Sequence, residues 1–428
     1  MTVTAHDSPP EHALRVGMVL YSALTFDSRV QREANALAAA GHRVTIFCLE
    51  GSHETAPLLD RRVRLNVLTH GGRHWSPDKG NPFVSASGLG RHVARLRFLA
   101  TYARNLRTWG RGIARQSAGI DVWHAHDFTG LVAASMARGR GASLVYDMHD
   151  LFLDSGAGTR LPTPGRTLLG WYERRLARRA DLLVTVNQGL AGWARSNLRP
   201  RSIAIVHNCV PGTPPIEPRP TRIGDALGLA PGARVVLYHG MVGGNRGLEQ
   251  LYEAMLCPGL DAAHLVLMGF GPDRDRLQAM ANETRFGGRI HLLEPVPPGE
   301  LVAWVASADV GVMPNQPRTL NERLSTPNKL FESLAAGLPV VSSDFPERRR
   351  IVMDDPLGPL GAVCDPTRPV AIADGIRSVL VLDVAAYDDL RRRCSTAAQM
   401  RWNWEREAAT LVNVYRRIAR ARAARART

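Results

Sequence analysis

The segment Ser325-Thr326-Pro327-Asn328-Lys329-Leu330-Phe331-Glu332 sets a cation and a carboxylate three residues apart. On a helix that spacing puts both on one face. The segment reads as a complete unit: a cap at Thr326, Pro327 in the first helical position, where its missing N–H is not needed, and a short helix closed by Ala335-Ala336. Gly337 supplies a left-handed exit and Val340-Val341 begin a buried strand. A helix that opens so abruptly turns unpaired N–H groups and a positive dipole end outward, which suits a phosphate. Lys329 would meet that phosphate, and Glu332, a turn further in, would accept hydrogen bonds from ribose hydroxyls. A solvated surface helix with an ordinary ion pair is the other reading of the same residues.

Other stretches offer related chemistry. Gly243-Gly244-Asn245-Arg246-Gly247 ahead of a helical pattern presents a guanidinium fork and a helix N-terminus. Gly269-Phe270-Gly271 follows a strand and either admits a ligand close to the backbone or makes a tight turn. Asp273 and Asp275 fall in the first turn of a helix, where carboxylates favour the dipole, so they are not read as a metal site. Five scattered cysteines with no C-x-x-C spacing point to reduced thiols and no zinc.

The elements that position these residues alternate throughout. Arg15–Tyr21, 44–48 and 63–68 read as strands, with a helix from Asp27-Ser28 to Ala40 ended by Gly41, which makes a βαβ start. Further strands are expected at 120–126, 143–147, 182–186 and 203–206, with His149 and Asp150 just beyond the second of these. Residues 211–220 hold five prolines and read as a linker. A second alternating set follows, with strands at 234–239, 264–268, 289–293, 310–313, 340–341 and 361–363. The organisation expected is a disordered 1–13, an α/β domain over 14–208, a linker over 209–222, a second α/β domain over 223–395, and a crossover helix with a basic tail over 396–428. One long helix over 388–421 would return to the first domain. Both domains are doubly wound and Rossmann-like, facing across a cleft where a ligand sits at strand C-terminal ends.

A 45% hydrophobic, 22% charged composition describes a soluble globular chain, and 428 residues favour two domains. The formal charge of +15 suits acidic partners: nucleotides, phosphorylated lipids or an anionic membrane surface. No nucleic-acid reader motif accompanies it. No signal peptide and no apolar run of about 20 residues is visible, so the expected location is cytoplasmic, with any membrane contact peripheral. A basic helix over 89–116, interrupted near Gly110, is expected to bury Val93, Leu96, Ala100, Ala103, Leu106 and Ile113 and to expose Arg97, Arg104, Arg111 and Arg115. With the loop 70–81, that helix would suit a lipid-linked acceptor.

Taken in order, these segments resemble the retaining glycosyltransferases of the GT-B fold, family 4. The resemblance runs through Asp27-Ser28-Arg29-Val30, the strand ends at His126-Asp127 and Tyr146-Asp147-Met148-His149-Asp150, Ile205-Val206-His207-Asn208, Gly240, Arg246-Gly247-Leu248, Met268-Gly269-Phe270-Gly271, and the block from Lys329 to Asp344. It implies transfer of a sugar from a nucleoside-diphosphate sugar to a glycan, lipid-linked or small-molecule acceptor with retention, in polysaccharide or glycoconjugate biosynthesis, with no metal or other cofactor. His149, Glu332, Arg246 and Lys329 are the implied catalytic set. Gly240, Gly244, Gly269, Gly271, Val296, Thr326, Asn328 and Leu330 are the implied donor contacts. Asp27, His126 and Asp150 are the acceptor-side candidates. The chain departs from the family at two places. The family's first glutamate would fall on Leu324, the nearest carboxylate being Glu322, and the family's arginine before Arg246 is replaced by Gly240-Met241. Lys329 is expected to supply the missing charge. The alternatives are a non-hydrolysing sugar-nucleotide epimerase on the same architecture, or an inactive relative that only binds nucleotide sugars.

Overall fold

The computed structural model describes residues 13–25, 27–50, 59–68 and 89–427. The expectations for residues 1–12, for the 70–81 loop, and for the side chains of Val93 and Leu96 lie outside the described residues. Two compact units emerge. The first comprises Met1–Thr185, Ala191–Val206 and Ala408–Thr428, and the second Val186–Leu190 and His207–Glu407.

The first unit is built on seven parallel strands: β1 (Arg15–Ala23), β2 (Arg43–Leu49), β3 (Arg64–Val67), β4 (Val122–His126), β5 (Ser143–Met148), β6 (Leu182–Thr185) and β7 (Ile203–Ile205). Their order is β3-β2-β1-β4-β5-β6-β7. The chain winds outward both ways from β1 and β4, the doubly wound pattern whose switch point lies between those strands. β4 and β5 are buried along their whole length, which is why they read as unbroken apolar runs interrupted only by residues with a task. Register sets His126 opposite Asp147, so polar side chains meet where both strands end.

Helix Ser28–Ala39 opens with Asp27, whose carboxylate accepts from Val30 N at 3.1 Å. Helix Leu89–Gln116 runs without interruption. Gly110 does not break it, because a side chain there would press on Met136 and Ala133 at 3.2–3.4 Å, so the glycine admits the Asp127–Ala137 helix. Leu106, Trp109 and Ile113 form its buried stripe, whereas Ala100 and Ala103, expected inside, are exposed. Arg97, Arg104, Arg111 and Arg115 are exposed as expected.

The second unit carries six parallel strands: β8 (Arg234–His239), β9 (Ala263–Met268), β10 (Ile290–Leu293), β11 (Val310–Met313), β12 (Val340–Ser343) and β13 (Gly361–Cys364), in the order β10-β9-β8-β11-β12-β13. A core on one face gathers Val236, Leu265, Val312, Leu330, Leu334 and Ile376. A smaller cluster around Val235, Val266, Val305 and Leu338 covers the other.

The single long helix expected over 388–421 is two, Val384–Met400 and Trp404–Arg427. Asn403 explains the break. Its amide donates to Ala398 O (3.0 Å) and Gln399 O (2.7 Å), closing the first helix, while its carbonyl accepts from Arg406 N (3.1 Å), opening the second. From Ala408 onward the second helix belongs to the first unit. Among the described residues no helix is long and apolar enough to cross a membrane.

Candidate active site

In the first unit the strand ends carry a buried charge cluster centred on Asp147. Arg29, from the first helix, grips it with two prongs, Nε to Oδ2 at 3.1 Å and Nη2 to Oδ1 at 2.9 Å, and donates its third nitrogen to Val206 O at 2.7 Å. Four residues on, Glu33 lies 2.9 Å from the same guanidinium. His126 Nδ1 lies 3.2 Å from Asp147 Oδ2, and His149 Nε2 lies 2.9 Å from it. His124 Nε2 is 3.3 Å from Glu33 and 3.6 Å from Asp147. Arg29, Glu33, His124, His126 and Asp147 are all buried, while His149 is half-buried.

Charge follows from this geometry. Burial would push Asp147 up, but Arg29 and then His149 hold its carboxyl well below the usual range. Burial likewise opposes a cationic His149, yet Asp127 and Asp147 outweigh it and raise its pKa to about 10. His124 behaves alike: against burial, Asp147 and Glu33 lift it to about 9. His126 goes the other way, lowered by burial and by its charged neighbour His124. Three cations (Arg29, His124, His149) thus face three carboxylates (Glu33, Asp147, Asp127), with His126 left neutral.

Asp127 is a residue the sequence reading passed over. It stands half-buried at the end of β4 with φ of +56°, a left-handed backbone that few non-glycine residues adopt. One of its oxygens accepts from His149 N at 3.3 Å and the other lies 3.7 Å from His149 Nδ1. Burial, aided by the Asp150, Asp27 and Asp147 charges, raises its pKa to about 6 against the pull of His149. His149 is therefore an imidazolium with Nε2 anchored on Asp147 and Nδ1 directed toward Asp127. Glu33, His124, His126 and Asp147 bring four donor atoms within 4.8 Å of one another. Arg29, however, already supplies the positive charge between the two carboxylates.

The acceptor-side candidates fare differently. His126 is wholly buried, with Nδ1 turned to Asp147, so it supports the cluster and does not meet an acceptor. Asp27 has one carboxylate oxygen engaged as a helix cap. Asp150 is exposed beyond β5.

In the second unit, helix Asn328–Ala335 lays Leu330, Phe331 and Leu334 into the core. Leu330, named as a donor contact, is 0% exposed, so its side chain cannot touch a ligand. Pro327 is itself the cap residue, with extended backbone, and no side chain caps this helix. Thr326, expected as the cap, instead accepts from Asn187 Nδ2 at 3.0 Å, and Asn187 also donates to Leu324 O at 2.8 Å. Asn328 accepts from Asn208 at 2.8 Å.

Lys329 is half-buried. It makes no ion pair with Glu332; its ammonium lies over the Tyr238 ring, 3.6 Å from the centroid. A side chain at Gly240 would lie 3.5 Å from it. No carboxylate is within ion-pair distance of Lys329 among the described residues. Burial, then the Arg246 charge, drives its pKa well below the ordinary lysine value. Glu332 pairs with His239 Nε2 at 2.9 Å. Arg246 reaches Glu322 at 3.8 Å, and Glu322 also accepts from Asn315 at 3.4 Å. The nearest substitute for the family's first glutamate thus faces Arg246. Buried Arg348 braces this loop by donating to Ser325 O (3.3 Å) and Asn315 Oδ1 (3.2 Å), and burial pushes its own pKa down to about 10.

The glycines divide sharply. A Cβ at Gly269 would fall 2.0 Å from Gly240 O, and one at Gly271 2.0 Å from Val242 O. Backbone packing between the two loops requires glycine at both positions. Gly244 has open space around it and does not start a helix; Gly247 is the cap of the Leu248–Ala254 helix. Val296 packs half-buried on the smaller core cluster.

Two parallel, doubly wound units, each with polar groups gathered at its strand C-terminal ends, define the GT-B class of glycosyltransferases. Residues 27–209 match the glycosyl transferase 4-like domain and residues 233–381 the glycosyl transferases group 1. Together the matches take in more than half of the chain, and the chain belongs to this glycosyltransferase family. It is similar to a D-inositol 3-phosphate glycosyltransferase of Xylanimonas cellulosilytica, 27% identical over 92% of this chain and 91% of that one. A phosphatidyl-myo-inositol mannosyltransferase of Mycobacterium tuberculosis is 33% identical over 36% of this chain and 39% of its own. Among solved structures, sucrose-phosphate synthase from Thermosynechococcus elongatus aligns with a TM-score of 0.74 at 18% identity, covering 95% and 100% of the two chains. Anabaena HepE, solved with UDP and glucose, aligns at 0.66 with 15% identity, over 94% and 99%.

Proposed function

We propose that the chain is a retaining hexosyltransferase that moves a sugar from a nucleoside-diphosphate sugar to a hydroxyl of an inositol phosphate or a related lipid-linked polyol. The observation that carries this reading is Lys329, held half-buried beside Arg246 with no carboxylate of its own. A desolvated ammonium next to a guanidinium is unfavourable until an anion arrives, and a diphosphate is the anion this family uses. The acceptor class follows from the relatives named above, and the +15 charge suits a phosphorylated acceptor or an anionic membrane in a cytoplasmic setting.

The residues then divide the work. Lys329 and Arg246 neutralise the leaving diphosphate as the glycosidic bond breaks. Glu332, steadied by His239, holds the ribose. His149 donates from Nδ1 to a hydroxyl of the transferred sugar. The acceptor oxygen forms the new bond on the face the nucleotide leaves, and its proton passes to the departing phosphate oxygen. Protein cations answer the diphosphate charge, so no metal is required.

The test is incubation with UDP-, GDP- and ADP-sugars, with and without inositol phosphates, followed by NMR. Acceptor-dependent product with the donor's anomeric configuration supports the reading. Epimerised donor without acceptor would overturn it in favour of an epimerase, and nucleotide binding without turnover in favour of an inactive relative.

A further inference from the structure

The Asp147 cluster extends to a residue that nothing in the reaction scheme requires. Tyr415, on the Trp404–Arg427 helix, is 0% exposed and places its hydroxyl 2.7 Å from His124 Nδ1. The two rings lie nearly parallel, 6.0 Å apart, and the tilted His42 ring also packs on the phenol at 5.7 Å. We infer that Tyr415 is a positioning residue for His149: it satisfies His124 Nδ1, so that His124 keeps Nε2–H in ion-pair range of Glu33 and Asp147 and the carboxylate beneath His149 stays fixed.

Three observations support the chain of contacts. His124 Nε2 sits between carboxylate oxygens at 3.3 and 3.6 Å, which only an N–H tolerates. That leaves Nδ1 as the one ring atom whose partner decides between the neutral and the doubly protonated ring. His124 is itself 0% exposed, so no solvent can replace the phenol. With His124 cationic, the cluster is balanced, three charges against three. With His124 neutral, Asp147 and Glu33 lose a counter-charge and His149 binds its proton more tightly. The groups facing His124 are Glu33, Asp147, the stacked His126 ring and Tyr415, with Arg29 bound to the same two carboxylates; those facing His149 are Asp127, Asp147, His126, Arg29 and, through Asp127, Asp150. Burial and Arg416 keep His42 from adding a competing cation by lowering its pKa.

The role given to His149 rests on the transferase reading; the coupling of the imidazoles does not. The experiment is a pH titration of ring nitrogens by NMR in full-length protein labelled at histidine, with His124 and His149 assigned through His124→Gln and His149→Gln. In Tyr415→Phe, His124 should titrate about one pH unit lower, and His149 should move upward. The pH profile of kcat should move with His149 and kcat should fall about fivefold, while KM for the nucleotide sugar stays put. Leu411→Ala, on the same helix and equally buried, should lower thermal stability without moving either titration. Unchanged His124 and His149 titrations in Tyr415→Phe, or equal shifts in Leu411→Ala, overturn the inference. Shifted imidazoles in a protein that transfers no sugar would leave the relay standing and remove the transferase reading.

Discussion

The two polar groups at the strand ends are opposites in charge logic. Around Asp147 every cation has a carboxylate, and the cluster is closed and largely buried. Around Lys329 the cations outnumber their pairings: Glu322 answers Arg246 only at 3.8 Å, Glu332 turns to His239, and Lys329 has an aromatic face instead of an anion. A closed cluster holds one side chain in one state, whereas an open one waits for a ligand to complete it. On the function proposed above, the first would serve as scaffold for His149 and the second would receive the charge of the donor.

If the contrast is right, breaking the closed cluster should cost folding and breaking the open one should cost binding. Asp147→Asn leaves Arg29 and three imidazoles without their shared carboxylate. The expected loss is about 3–5 kcal/mol of stability in the first unit, read by hydrogen exchange of β4 and β5. Exchange unchanged from the parent would show that the cluster is not structural. Lys329→Ala should leave that exchange intact and weaken nucleotide-sugar binding about 100-fold by calorimetry. Equal affinity would remove Lys329 from the donor site.

The same comparison has a pH signature. The folded-state pKa values of His124 and His149, about 9 and about 10, lie above the ordinary histidine value of about 6.5. Groups raised on folding give their full stabilisation below the unfolded value and lose it as pH climbs through the folded one. The first unit should therefore weaken between about pH 6.5 and 10, in a trend that Asp147→Asn flattens. Urea midpoints at pH 7, 8.5 and 9.5 decide the matter, and a flat series would mean that the imidazoles are not cationic.

Much of this was legible in the sequence. Apolar runs such as Val16–Leu20 point to the strands, and Asp27-Ser28 marks the start of the first helix, where the Asp27 carboxylate is the cap. What sequence could not show is pairing at a distance: Arg29 and Asp147 are 118 residues apart, and Tyr415 meets His124 across 291. One signal was available and passed over, since Arg29 and Glu33 stand at helical i, i+4 spacing on a face that should have been apolar. The helix break was hidden because a single Asn403 closes one helix and opens the next, and no proline or glycine marks the place. At Gly269 and Gly271 the neighbouring carbonyls of Gly240 and Val242 are enough to require glycine, a pairing that sequence spacing does not show.

The subtlest consequence is protonic. In the free protein, burial and Arg246 hold the Lys329 pKa well below its ordinary value, so a share of the molecules carries a neutral amine once pH exceeds that lowered value. A bound diphosphate brings negative charge against the same nitrogen and favours the ammonium. Binding must then draw a proton from solution at pH above the free-state pKa, and none well below it, where the amine is already charged. The uptake is at most about one proton and appears as a calorimetric heat that scales with buffer ionisation enthalpy. The slope against that enthalpy should be positive at pH above that lowered value, shrink as the pH falls below it, and vanish in Lys329→Met. A slope that survives in Lys329→Met would assign the proton to another group, and the second unit's cluster would then be no more open than the first.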